Sequence, residues 1–300
     1  MNVFCSALSA ALLGAVLFFG FNEAKAASRD SLRIVAPAVA YHPRGFVPGT
    51  KGSVLNREQI VEDLRLLKRS GFRSLVTYSA EGMQRLIPEI ARSEGFDGTI
   101  IMGVWNPLSE EEIRNAVAQA PFVDAYCVGN EGLGVRYTPE QLAKKMDQLR
   151  LLTSRPVTTT EPIDSYLAGP YRNWLIDHSD WLFPLAQPVW FGQSDPLQSV
   201  RWISARHDFL TATTGRRVIL KEAALPSAGA EAHNEENQLS FFKALELTGM
   251  RFFYFEAFDQ PWKKDFRGEP GIEIHWGLFH SDGTPKKVVS WLIEHRMTRR

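Results

Sequence analysis

Only two cysteines occur in the 300 residues, and one of them, Cys5, falls in an apolar N-terminal run. Beyond that run Cys127 stands alone, so no intramolecular disulfide can form. Stability must come from the core, which a chain of this size can bury. Cys127 lies in an apolar strand pattern and reads as a small core residue rather than a nucleophile. Net charge is missing too, because 34 basic residues balance 34 acidic ones. That removes the electrostatic footprint of a binder of nucleic acid or of anionic membrane. No glycine-rich phosphate turn follows an early strand. There is no G-x-S-x-G nucleophile turn. No His pair, and no His with Cys, falls at metal-ligand spacing on the strand ends. No metal and no cofactor is expected.

What is present is apolar and aromatic. The hydrophobic fraction is 44% and the aromatic fraction 11%, with eight Trp, which suits stacking surfaces. Phe4 to Phe21 is apolar and rich in small residues, and Ala24-Lys25-Ala26 follows. That pattern reads as a signal peptide over 1–26, cleaved after Ala26, with residues 27–300 as one exported domain, periplasmic or extracellular. No Lys or Arg precedes the apolar run, so an uncleaved anchor is the alternative. No other membrane segment is expected, and a monomer is the expected state.

After residue 30 strands and helices alternate eight times. The strands are expected at Leu32–Pro37, Phe72–Tyr78, Thr99–Trp105, Phe122–Val128, Pro156–Thr160, Trp181–Ala186, Arg217–Lys221 and Met250–Phe255. Helices fill the intervals: one starts at Asn56, one spans Ala80–Ser93 with Pro88 as a kink, and Ser109 to Glu112 opens another like a capping box. Continuous apolar strands between helices mean a parallel sheet covered on both faces. Eight βα units in about 270 residues is the size of a closed (β/α)8 TIM barrel. An open doubly wound sheet is the runner-up.

A barrel carries its chemistry at the C-terminal strand ends. Those ends hold Tyr41 and His42, Tyr78, Trp105, Asn130 and Glu131, Glu161, Gln187 and Trp190, Glu222, and Glu256 with Asp259 and Trp262. Carboxylates among aromatic rings are what cleavage of a glycosidic bond needs. A lone Glu at a loop edge is more often an ion-pair partner. Two at opposed strand ends, Glu131 and Glu222, shift that balance.

The pieces Val76-Thr77-Tyr78-Ser79, Gly103-Val104-Trp105, Val128-Gly129-Asn130-Glu131, Glu222 with Pro226-Ser227, Phe255 to Lys263, and His275-Trp276-Gly277-Leu278-Phe279 with Pro285-Lys286 resemble glycoside hydrolase family 17, the β-1,3-glucanase family, in its bacterial branch. The Gly-Asn-Glu turn is shared by many barrel glycosidases; the last two pieces are specific. The resemblance implies retaining cleavage of β-1,3-linked glucan. By motif position Glu131 is the general acid/base, kept protonated by burial or by a neighbouring carboxylate, and Glu222 the nucleophile. Asn130 would meet the sugar 2-hydroxyl. Tyr41, Tyr78, Trp105, Glu161, Trp190, Glu256, Trp262 and Lys263 complete the expected substrate site.

Three departures stand out. Strand 7 reads Glu222-Ala223-Ala224-Leu225-Pro226-Ser227 where the family has Glu-Thr-Gly-Trp-Pro-Ser. Strand 6 reads Leu185-Ala186-Gln187-Pro188-Val189-Trp190, without the family's Asn and His or Tyr, so the partner that orients the nucleophile is missing or replaced. Gln260 stands for the family's second acid in the strand-8 motif. Hydrolysis, transglycosylation with the same residues, and a catalytically silent carbohydrate-binding barrel are the three outcomes these departures leave open.

Overall fold

The structure, a computed structural model, describes residues 32–49, 55–268 and 271–297. The expected signal segment lies outside the described residues. Eight parallel strands form one curled sheet in the order β5-β4-β3-β2-β1-β8-β7-β6. They are β1 Ala38–Ala40, β2 Ser74–Val76, β3 Ile100–Val104, β4 Ala125–Val128, β5 Val157–Thr158, β6 Leu185–Ala186, β7 Leu220–Ala223 and β8 Phe252–Tyr254. The helices between them are α1 Arg57–Arg69, α2 Ile87–Ser93, α3 Glu110–Ala118, α4 Pro139–Thr153, α5 Ile163–Leu167, α6 Arg172–His178, α7 Pro196–Thr214, α8 Glu235–Leu247 and α9 Lys287–Met297. β5 and β6 are the first and last strands of that order; beyond the end of β5, Pro162 bridges to Leu185 of β6, and Leu185 N–H donates to the Glu161 carbonyl at 3.0 Å.

Every residue of β3 and β4 is buried, as strands covered on both faces require. On α1, Ile60, Leu64 and Leu67 point inward at helical spacing. Each such side chain stabilises the fold by about 2 kcal/mol through the apolar area it removes from water. Asn56 caps α1 by accepting from Gln59 N–H at 2.8 Å. Thr138 and Gln141 close a reciprocal capping box on α4.

Three local expectations fail. The first strand is Ala38–Ala40 and not Leu32–Pro37, because Pro37 has no N–H to give a central strand, and pairing starts only after it. Pro88 makes no kink. It stands in the first turn of α2, where the missing N–H costs nothing, and a 3-10 turn Gly82–Leu86 precedes it. Ser109 does cap α3, but Glu112 does not return to it. Its buried carboxylate accepts instead from Ala80 N–H, Trp105 N–H, Asn106 N–H and Ser79 Oγ. One acid thus ties the loops after β2 and β3 together beside the strand ends. Gly103 is required here: a Cβ on it would stand 2.4 Å from the Thr77 carbonyl oxygen and 2.5 Å from the Tyr78 backbone.

Candidate active site

Glu222 lies within β7 rather than just beyond it, and is 4% exposed. Its Oε1 accepts from Tyr78 Oη at 2.9 Å and from Lys221 Nζ at 3.0 Å, and its Oε2 accepts from Gln187 Nε2 at 2.9 Å. Gln187 accepts in turn from Trp190 Nε1 at 2.9 Å. Strand 6 therefore does carry a polar partner for this carboxylate, a glutamine held by an indole. Neighbouring residues of a regular strand point to opposite faces. Here the register slips between Leu220 and Ala223, which pair with Phe252 and Tyr254. That extra residue lets Lys221 and Glu222 turn into one site.

Glu131 stands on the turn after β4. Gly129 and Glu131 both have positive φ, +78° and +50°. A side-chain-bearing residue holds that conformation only where its surroundings enforce it. Here Glu131 N–H donates to the Thr160 carbonyl at 3.1 Å, and Glu161 Oε1 accepts from Gly132 N–H at 3.0 Å and Leu133 N–H at 2.9 Å. Burial, with the Glu131 charge adding to it, pushes the Glu161 carboxyl up to about 7 against two opposing backbone hydrogen bonds. Asn130 Nδ2 is 3.4 Å from Glu131 Oε2, and Asn130 Oδ1 accepts from Lys221 Nζ. Side-chain contacts thus run from Glu131 through Asn130 and Lys221 to Glu222. Glu131 itself is exposed.

His42 lies flat against Tyr78, with ring centroids 4.0 Å apart and planes 5° from parallel. Burial lowers its basicity, more than Glu256 at 3.6 Å raises it. Burial would push the Glu256 carboxyl up, yet the ammonium of Lys263 and then His42 outweigh it and hold it below the usual range. Beside Tyr78 opens a cleft of about 630 Å³, lined by His42, Phe46, Met83, Gln84, Trp105 and Trp262 among others. Trp105 is 42% exposed and carries the Arg136 guanidinium over its ring at 4.7 Å.

Of the expected residues, Tyr78, Asn130, Glu131 and Glu222 come together, and Trp105 and Trp262 line the adjoining cleft. Trp190 reaches the site only through Gln187. Four are engaged elsewhere. Tyr41 is fully buried and donates to Asp63 Oδ2 at 3.0 Å. Glu161 braces the Glu131 turn. Glu256 and Lys263 pair with each other, 0% and 5% exposed. His42 and Gln187, read at the strand ends but given no role, complete the site with Lys221, which the strand ends did not name. A lysine inside an apolar strand, next to a candidate nucleophile, was the signal for Lys221. Among the described residues no group of three or more His, Cys, Asp or Glu could hold a metal ion, and no helix is long and apolar enough to cross a membrane.

Two carboxylates at the ends of parallel strands, one buried among donors and one on an open turn beside aromatic rings, are an arrangement that glycosidic bond cleavage can use. The chain belongs to the BtgE/BtgC glycoside hydrolase domain family, whose match covers residues 38–277. A glucan 1,3-beta-glucosidase of Arthroderma benhamiae is 27% identical over 290 residues, covering 84% of this chain and 92% of that protein. A glucan 1,3-beta-glucosidase of Saccharomyces cerevisiae is 26% identical over 239 residues, 68% of this chain and 75% of the other. The glycoside hydrolase family 17 beta-1,3-glucanosyltransferase of Rhizomucor miehei superposes with a TM-score of 0.65 at 20% identity, over 83% of this chain and 95% of that one. Both sequence relatives are fungal, and neither supports the expected bacterial branch.

Proposed function

We propose that the protein is a retaining glycoside hydrolase of β-1,3-linked glucan, with Glu222 as nucleophile and Glu131 as general acid/base. The observation that carries this reading is the side-chain run Glu131–Asn130–Lys221–Glu222, with Tyr78 and Gln187 completing the grip on Glu222. In the first step a Glu222 oxygen bonds to the sugar C1. The bond from C1 to the leaving oxygen breaks, and that oxygen takes the proton of Glu131. In the second, water attacks C1, its proton passes to Glu131, and the ester bond breaks with its electron pair returning to Glu222. Retention calls for carboxyls about 5–5.5 Å apart. Asn130 Nδ2 is the donor for the sugar 2-hydroxyl, and Trp105 and Trp262 are the ring platforms.

The β-1,3 linkage is supported by the names of the relatives. A sugar in place of water in the second step makes the same residues a glucan transferase, and the Rhizomucor miehei neighbour bears that name. We further infer a closed barrel, supported by the Pro162–Leu185 bridge. The first 26 residues we read as a leader that exports residues 27–300 to the periplasm or beyond, as a monomer of the bacterial branch. The test is to incubate residues 27–300 with a β-1,3-gluco-oligosaccharide of six units and resolve products by mass. Shorter products alone establish a hydrolase. Longer ones establish a transferase. Binding without any change of mass overturns the enzyme reading in favour of a silent barrel.

A further inference from the structure

We propose that Lys221 is a positioning residue that shortens the life of the glycosyl-enzyme and so favours water over a sugar as its acceptor. The proposal rests on Glu222 being the nucleophile. Lys221 is 1% exposed, and its ammonium touches Glu222 Oε1, Asn130 Oδ1 and, at 4.3 Å, the face of the Tyr78 ring. In the resting enzyme this is a buried ion pair. When Glu222 becomes an ester its negative charge is gone, while the ammonium beside it stays. It then keeps an amide oxygen and a ring face as partners, and a buried cation without its anion is costly. Water attack at C1 breaks the ester bond, returns the electron pair to Glu222 and restores the ion pair. Lys221 therefore raises the energy of the ester and eases departure of the carboxylate.

The consequence is a bias in acceptor. Water is always at hand, whereas a sugar acceptor must reach its site before the ester is lost. A second effect comes from the same ammonium. By occupying Asn130 Oδ1 it fixes which way that amide faces, leaving Nδ2 toward Glu131 and the sugar. The bulge in β7 is what allows one residue to reach both groups.

The experiment uses the full chain and the variants Lys221→Met, Lys221→Arg, Glu222→Gln and the Lys221→Met/Glu222→Gln pair. Products from the six-unit glucan are resolved by mass. Ester formed from 2-deoxy-2-fluoro-β-glucosyl fluoride is followed by intact mass. Lys221→Met is expected to raise the ratio of transfer to hydrolysis about tenfold and slow ester decay about tenfold, without slowing ester formation. Lys221→Arg is expected to stay close to the parent. Unchanged partition and decay, or formation and decay slowed alike, overturns the proposal. The neutral amide introduced by Glu222→Gln imitates the ester, so this variant is expected to melt several degrees lower and the pair to recover. A Glu222→Gln protein that melts with the parent overturns the buried-charge argument even if Lys221→Met does not fold. If glucan is cleaved but Glu222 takes no label, the nucleophile reading fails, and the role of Lys221 falls with it.

Discussion

Two buried lysine–carboxylate pairs in this molecule have nearly the same composition and different surroundings. Lys221 with Glu222 lies among the strand ends, and Lys286 with Asp259 lies under the C-terminal segment; both lysines are 1% exposed. Asp259 Oδ1 accepts from Gly277 N–H at 3.0 Å and from Lys286 Nζ at 2.7 Å, and Lys286 also donates to Ser227 Oγ at 2.7 Å. Those bonds join the loops after β7 and β8 to the segment before α9. Burial pushes the Asp259 carboxyl up and the Lys286 amine down, and each partner offsets part of the other's shift. A backbone N–H on a carboxylate is fixed by the fold. Glu222 has none among the described residues; its three donors are side chains of Tyr78, Gln187 and Lys221. In the role proposed for Glu222, a carboxylate that bonds to carbon and returns needs donors that can let go. The strand-8 and His275-Trp276-Gly277 motifs, which carried the family resemblance, therefore hold the structure together as much as they border the site.

The comparison can be broken most directly by neutralising each acid. Glu222→Gln is expected to lower turnover of glucan by at least about a thousandfold in the folded protein. Asp259→Asn is expected to leave turnover per folded molecule nearly unchanged and to cost about 3 kcal/mol of stability, because it strands Lys286. Both changes strand a buried lysine and are expected to lower the melt, so steady-state turnover per folded molecule is what separates them; an Asp259→Asn protein as inactive as Glu222→Gln would erase the distinction drawn above.

Glu161 sharpens the comparison, since it too is a buried acid, but one held by backbone N–H groups next to the site. Its folded value near 7 lies above its ordinary value near 4.5, so the folded state binds its proton more tightly than the unfolded chain does. That contribution is fully present below the ordinary value and is lost as pH rises through the folded one. Glu161→Gln, a permanent stand-in for the protonated acid, is expected to flatten this part of the stability profile between about pH 4.5 and 7. Melts across that range check it, and a profile as steep as the parent's would show that Glu161 does not titrate there. The smallest effect is expected at the cleft. Trp262→Ala should weaken glucan binding by about tenfold through lost ring stacking, with little change on a small activated glucoside. An equal loss on both substrates would move Trp262 from the platform to the core.

Much of this was legible before the structure. The alternation of strand and helix and the carboxylates at strand ends follow from periodicity and from where apolar runs stop. What was misread turns on single residues. Tyr41 and His42 both stand at the end of the expected first strand, and Tyr41 is the one expected as a substrate contact. In the structure β1 begins after Pro37, Tyr41 turns to Asp63 on α1, and His42 takes the place on Tyr78. A strand has a period of two, so a small error of register exchanges the two faces. Glu256 and Lys263, expected as substrate contacts, also prove to be each other's partner, which no local pattern announced.

By itself the sequence determined the class of fold and the acids from which chemistry could be drawn, because burial patterns are local and repeat at short spacing. Only the tertiary structure decided which acid is gripped by movable side chains, which is braced by backbone, and which is spent on a lysine. The partners that decide this come from distant segments: Tyr78 and Glu222 are 144 positions apart, and Asn130 and Lys221 are 91. The β7 bulge that turns Lys221 toward Glu222 exists only as a register against β8.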